Sequence, residues 1–208
     1  MLRARDELSR ARRELPWERV EKKYVFEGPD GARTLADLFG KHSQLAVYHF
    51  MFAPEWQAGC KSCSFWADGF DHVAPHLAAR DVAFHAVSRA PYAKLAAYRN
   101  RMGWSFPWVS SAGSDFNFDY EVSFDTSTQE HVYNYQQNVI RGPEREGVSV
   151  FARDGESIFH TYSTYARGID GLNVAYQILD LVPKGRDEGE LSSPMDWLKR
   201  RDEYDARA

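Results

Sequence analysis

Apolar residues along the chain follow two spacings, and each change of spacing marks an element. Leu45 to Phe52 (LAVYHFMF) is almost continuously apolar over the length of a strand, the pattern of a strand covered on both faces in a parallel sheet. Asp81 to Val87 (DVAFHAV) repeats that pattern, and Phe106 to Val109 is a third, shorter strand candidate. Two hairpins flank them. Tyr24 to Leu35 (YVFEGPDGARTL) turns at Pro29-Asp30-Gly31, and Val148–Phe151 and Ile158–Tyr162 flank Asp154-Gly155.

Between the strands the spacing becomes helical. Thr34 is the expected N-cap of a helix carrying Leu35, Leu38 and Phe39, with Asp37 placed as an acidic capping-box partner. Cys60 to Ala79 reads as one helix, because Trp66, Phe70, Val73 and Leu77 share a face, with a bend at Pro75. Pro91 and Gly103 bracket another, striped by Leu95, Tyr98 and Met102. A third spans Asp170 to Leu181, and a short last one begins at Ser193-Pro194 with Asp196 closing its cap. The expected organisation is a solvated helical extension over residues 1–23, one domain over 24–183 and a polar tail over 184–208. An insertion runs from about Gly113 to Pro143. The element order predicts an α/β fold, with a mixed central sheet flanked by helices.

Composition supports a packed core and narrows the partners. Of 208 residues, 43% are hydrophobic, enough for one core and too many for a disordered chain. The 26 basic and 30 acidic residues are spread evenly, so no cationic stripe is offered to nucleic acid. No apolar run approaches the roughly 18 residues of a membrane span. The first turns lack a secretory apolar stretch, and they carry Asp6, Glu7, Glu14, Glu18 and Glu21, which a mitochondrial presequence avoids. The expected address is cytoplasmic.

Cys60 and Cys63 are the only cysteines. Two cysteines placed at random in such a chain stand three apart roughly 1% of the time, so the spacing carries information. The pair falls where the LAVYHFMF strand has ended and a helix begins. Free amide N–H groups and the helix dipole, aided by Lys61, favour a thiolate at Cys60, which makes it the nucleophile. Cys63, one turn on, is placed to resolve a mixed disulfide. Two thiols packed without chemistry remain an alternative, as does zinc with His72 and His76. On a single helix, however, those histidines lie about 180° and 140° around from Cys63, which excludes a shared metal. No metal is expected.

Several strings resemble one family. APEWQAGCKSCSFW (Ala53–Trp66), VSRAPYAKL (Val87–Leu95), RMGWSFPWVSS (Arg101–Ser111), SDFNFDY (Ser114–Tyr120), GVSVFARDG (Gly147–Gly155) and FHTYSTYARGIDGL (Phe159–Leu172) are similar to the thioredoxin-like domain of unknown function 899. The likeness covers nearly the whole chain. It implies a thioredoxin-like fold and a dithiol–disulfide oxidoreductase carried on Cys60 and Cys63, with no known substrate and no organic cofactor. Peroxiredoxins, by contrast, present threonine three residues before the reactive cysteine, where this chain has Gln57, so peroxide chemistry ranks lower; Arg89 and Arg99 are candidate polarising groups, although arginines of this kind are usually solvated helix faces.

Alignment with the central strand of a thioredoxin puts His49 near the buried carboxylate that accepts a proton there, so His49 is the candidate relay to Cys63. A packed core histidine is the alternative. Glu146-Gly147 stands where thioredoxins carry the cis-proline that clamps substrate, and the nearest proline is Pro143. Trp56 and Lys61 are expected to shape the site. HTYSTYARG (His160–Gly168) has no thioredoxin counterpart. Arg167 is a candidate anion ligand, with Tyr162 and Tyr165 as a wall, unless the string is only a hydrogen-bonded junction. The aromatic run of Trp104, Phe106, Trp108, Phe116, Phe118 and Tyr120 is either packed or, if exposed, a homodimer face or an apolar ligand site. The functional expectation is exchange with a thiol or disulfide substrate, protein or small molecule; the alternative is a non-catalytic binding module for a small anion or protein partner.

Overall fold

The computed structural model describes residues 2–128, 130–140 and 142–204. Ten strands and seven α-helices alternate along them. The strands are β1 (Glu18–Arg19), β2 (Val25–Gly28), β3 (Gly31–Thr34), β4 (Gln44–His49), β5 (Val82–Ser88), β6 (Trp108–Ser110), β7 (Glu130–Tyr133), β8 (Gln136–Val139), β9 (Gly147–Asp154) and β10 (Ser157–Tyr165). The α-helices are α1 (Leu2–Arg13), α2 (Leu35–Leu38), α3 (Lys61–Phe70), α4 (Ala74–Ala78), α5 (Tyr92–Met102), α6 (Phe116–Asp119) and α7 (Val174–Leu179).

Eight strands form one mixed sheet in the order β1-β10-β9-β4-β5-β6-β2-β3. β4, β5 and β6 are parallel, as their helical crossovers require, while β9 pairs antiparallel with β4 and starts the hairpin side. The strands expected from sequence are all present. Because β4 is central, its alternate residues serve two cores. Leu45 and Val47 join Phe39, Phe116 and Phe151 on one face, whereas Tyr48 and then Phe50 join Trp66, Tyr98 and Trp108 on the other. The Thr34 capping box forms as expected, and α5 ends at Gly103.

Four expected elements differ. The first helix stops at Arg13 instead of running on toward Lys23, because Pro16 has no N–H to continue it. The chain then extends, and β1 pairs with β10 at the sheet edge, so the extension is part of the sheet. The long helix after Cys60 breaks at Asp71-His72, ahead of Pro75. The Asp71 carboxylate accepts from the backbone N–H and hydroxyl of Ser105, and His72 adopts a positive φ of 65°. Pro75 therefore starts α4 within its first turn, where a missing N–H breaks no bond. The helix expected from Asp170 is a 3₁₀ turn over Ala166–Leu172 followed by α7, with Asn173 capping Tyr176 N–H at 3.0 Å. Ser193-Pro194 opens a turn, not a helix, and the only helical turn of the described tail is Arg201–Glu203.

The Gly113–Pro143 insertion supplies α6 and the separate β7–β8 hairpin. Most of the aromatic run is packed: Trp104, Phe106, Trp108, Phe116 and Tyr120 are buried, and Phe118 alone is exposed, with the Arg89 guanidinium 4.5 Å from its ring centre. The tail is docked as well, since Leu198 is buried. Among the described residues no helix is long and apolar enough to cross a membrane.

Candidate functional site

Cys60 caps the N-terminus of α3 and Cys63 lies inside its first turn. The turn is built onto the end of β4. Cys60 N–H donates to the Met51 carbonyl at 3.1 Å, Met51 N–H points at the Cys63 sulfur at 3.5 Å, and the Tyr48 hydroxyl donates to the Cys63 carbonyl at 3.2 Å. Gly59 precedes the pair for a steric reason, because a Cβ there would lie 2.7 Å from the Phe50 ring. Both cysteines are free thiols; Cys60 is half-buried and Cys63 is buried.

The two sulfurs perturb each other in opposite directions. The neighbouring Cys63 thiol is the main reason that Cys60 falls to about 7; burial opposes that fall, the backbone N–H groups of Cys63 and Ser62 reinforce it, and the Glu146 charge opposes it. Cys63 is pushed well up, first by burial, then by holding its proton for Cys60 and by the charges of Cys60 and Glu146. One thiol is therefore half ionised near neutrality while its neighbour keeps its proton. Lys61 is turned to another partner. Its ammonium reaches away to the Asp196 carbonyl at 3.3 Å. Trp56 is half-buried against the core, and its carbonyl accepts from Lys94 at 3.1 Å.

His49 is not the relay to Cys63. Side chains alternate along β4, so His49 faces the opposite core from Tyr48 and Cys63, stacked 5.6 Å from Phe116 and 6.1 Å from Tyr120. Its Nε2 meets Ser149 Oγ at 2.8 Å, Ser149 meets Ser163 at 2.7 Å, and Ser163 meets His160 at 2.7 Å. This chain leads away from the sulfurs. Burial lowers His49 to about 3, with His160 adding a little. A base held neutral in the fold stabilises it above the unfolded value of about 6.5 and withdraws that support as pH falls toward 3. Stability should therefore decline by about 1.4 kcal/mol per pH unit through that window on account of His49. Urea midpoints of wild type and His49→Phe, measured from pH 7 to pH 4, check this: the variant should show the shallower decline.

The HTYSTYARG residues are dispersed. Tyr165 is buried under the insertion, its hydroxyl donating to the Tyr120 carbonyl at 3.1 Å, and Gly147 is required beside it because a Cβ there would sit 2.6 Å from the Tyr165 ring. Tyr162 lies beneath the guanidinium of Arg12, 5.4 Å from its ring centre. The two tyrosines make no wall for Arg167, which lines the cleft that reaches Cys63. Arg89, a candidate for polarising peroxide, is engaged by the buried carboxylate of Glu144 at 3.2 Å.

Sequence reasoning missed the residues that brace the turn from behind. Ser64 Oγ donates to the Cys60 carbonyl at 2.8 Å and meets Tyr98 Oη at 2.9 Å; Arg200 donates to Tyr98 Oη at 2.9 Å and to the Gly59 carbonyl at 2.7 Å. Nothing local marks Arg200, which arrives from the polar tail. Among the described residues no group of three His, Cys, Asp or Glu side chains is placed to hold a metal. The long-helix premise used against zinc fails, but His72 is solvent-exposed while Cys63 is buried.

The architecture is similar to that of peroxiredoxin Q from Xanthomonas campestris. A cysteine-to-serine mutant aligns with a TM-score of 0.51 and 14% identity over 75% of this chain and 89% of that one. A second structure of it gives 0.51 and 13% identity over 73% and 85%. The peroxidoxin BcpB from Mycobacterium tuberculosis gives 0.49 and 14% identity over 76% and 93%. At such identities the likeness is one of fold, and that fold is thioredoxin-like. No curated protein matches the sequence significantly. Residues 1–204 match the family described as bacterial protein of unknown function, DUF899, and the chain belongs to it.

Proposed function

We propose that the protein is a thiol–disulfide oxidoreductase in which Cys60 attacks and Cys63 resolves. The observation that carries this reading is the placement of the pair, a half-buried Cys60 at the N-terminus of α3 with a buried Cys63 three residues on in the same turn, which readies one thiol and keeps the other in reserve. The Cys60 thiolate attacks one sulfur of a substrate disulfide and expels the other as a thiolate. Cys63, after losing its proton, attacks the Cys60 sulfur and releases the second substrate thiol. Two electrons pass to the substrate, and the pair closes to a disulfide that an external dithiol reopens. Gln57 offers no hydroxyl where peroxiredoxins carry threonine, which favours disulfide over peroxide as the oxidant.

Reduced protein mixed with hydroxyethyl disulfide tests this. Both thiols should be lost together, Cys63→Ser should accumulate a mixed disulfide on Cys60 visible by mass, and Cys60→Ser should react on the order of 100-fold more slowly. A pair that stays reduced, or a Cys60→Ser variant as fast as wild type, overturns the assignment in favour of a binding module.

A further inference from the structure

A cleft of about 460 Å³ ends on the Cys63 side of the sulfur pair. That volume is the size of a small-molecule site. Tyr48, Met51 and Trp66 form its apolar inner wall, and Pro194 and Met195 of the C-terminal segment form the outer one. The segment is fastened on both sides of that wall. Met195 N–H and the Trp197 indole both donate to Glu188, at 3.1 and 2.7 Å, while Arg200 grips the Gly59 carbonyl next to Cys60. The Arg200 side chain thus occupies ground next to Cys60 that a folded protein substrate would have to cover.

The rim carries charges of both signs. Arg145 and Arg167 stand with Glu146 and Asp170 around the opening. The Arg167 side chain is 87% exposed and touches Asp170 only at 3.4 Å, and Asp170 is held more closely by Arg186 at 3.0 Å. A guanidinium so exposed is open to a carboxylate, which it takes through paired hydrogen bonds. The two carboxylates on the same rim disfavour a bare polyanion and suit a ligand that also bears an ammonium.

Building on the thiol–disulfide reading, we propose that the substrate is a small amino-acid or peptide disulfide, bound in this cleft with a carboxylate on Arg167. The substrate S–S bond breaks to two thiols as the Cys60–Cys63 dithiol gives up two electrons and two protons and closes; a dithiol such as dithiothreitol regenerates the pair. Single-turnover oxidation of the reduced chain by glutathione disulfide, hydroxyethyl disulfide and insulin separates the possibilities. Glutathione disulfide should saturate and insulin should be the slowest of the three. In Arg167→Ala, the ratio of the glutathione disulfide rate to the hydroxyethyl disulfide rate should fall about tenfold, and Arg167→Lys should recover part of it. An unchanged ratio, or insulin as the fastest oxidant, overturns the substrate assignment and leaves the exchange chemistry standing. Failure of all three disulfides to oxidise the pair defeats the underlying reading instead.

Discussion

Replacing Cys63 with alanine should move the titration of Cys60 from about 7 back to 9 or above, because the neighbouring Cys63 thiol is the leading cause of the depression and burial, which opposes it, remains. At pH 7 the thiolate fraction then drops from half to about 1%, roughly 50-fold. The more basic thiolate is also the better nucleophile, and with a Brønsted slope of about 0.4–0.5 this returns about 6- to 10-fold. Alkylation by iodoacetamide at pH 7 should accordingly slow by only about 5- to 8-fold, while the midpoint of its pH profile rises by about two units. The midpoint is the decisive reading. If it stays near 7 in Cys63→Ala, the helix N-terminus alone ionises Cys60 and the coupling of the two sulfurs is not what readies the site.

Phe50→Ala should be the most damaging single truncation near the dithiol. The ring is almost fully buried, packs against Tyr48, Tyr98, Trp104 and Trp108 with its centre 4.7 Å from the Trp108 ring, and supports Gly59 from below. Removing it takes away the transfer energy of the ring and leaves a cavity whose other walls are large, rigid aromatics, so collapse is poor. A loss of about 3–5 kcal/mol is expected. That is a large share of the roughly 5–15 kcal/mol that holds a domain of this kind. Urea denaturation should show the midpoint falling with little change in slope; a loss below about 1 kcal/mol would mean that the surrounding rings refill the space.

What was readable from sequence was whatever a local pattern encodes. The continuous apolar run of LAVYHFMF revealed β4 and its burial on both sides, and the Cys60-Cys63 spacing after it located the dithiol. Features set by distant partners were hidden. The break at Asp71 depends on Ser105, a residue of another loop, and the apolar stripe from Trp66 to Leu77 continues across it without interruption. His49 was placed near the right strand position but on the wrong face, since an alignment that slips by one residue exchanges the two sides of a strand. The tail is polar in composition, yet Leu198 and Arg200 tie it to the site, and polarity alone cannot distinguish a mobile segment from one anchored by a few contacts.

The margins of the sheet bear on how copies of this chain meet. One margin is β1, two residues long and made of Glu18 and Arg19; it covers the start of β10, where the register shifts between His160 and Tyr162. The other is β3, four residues long and carrying Arg33. Short, charged and irregular borders deny an incoming strand the unbroken ladder of amides that runaway β-addition requires. At these two margins extension of the sheet by a second copy is disfavoured.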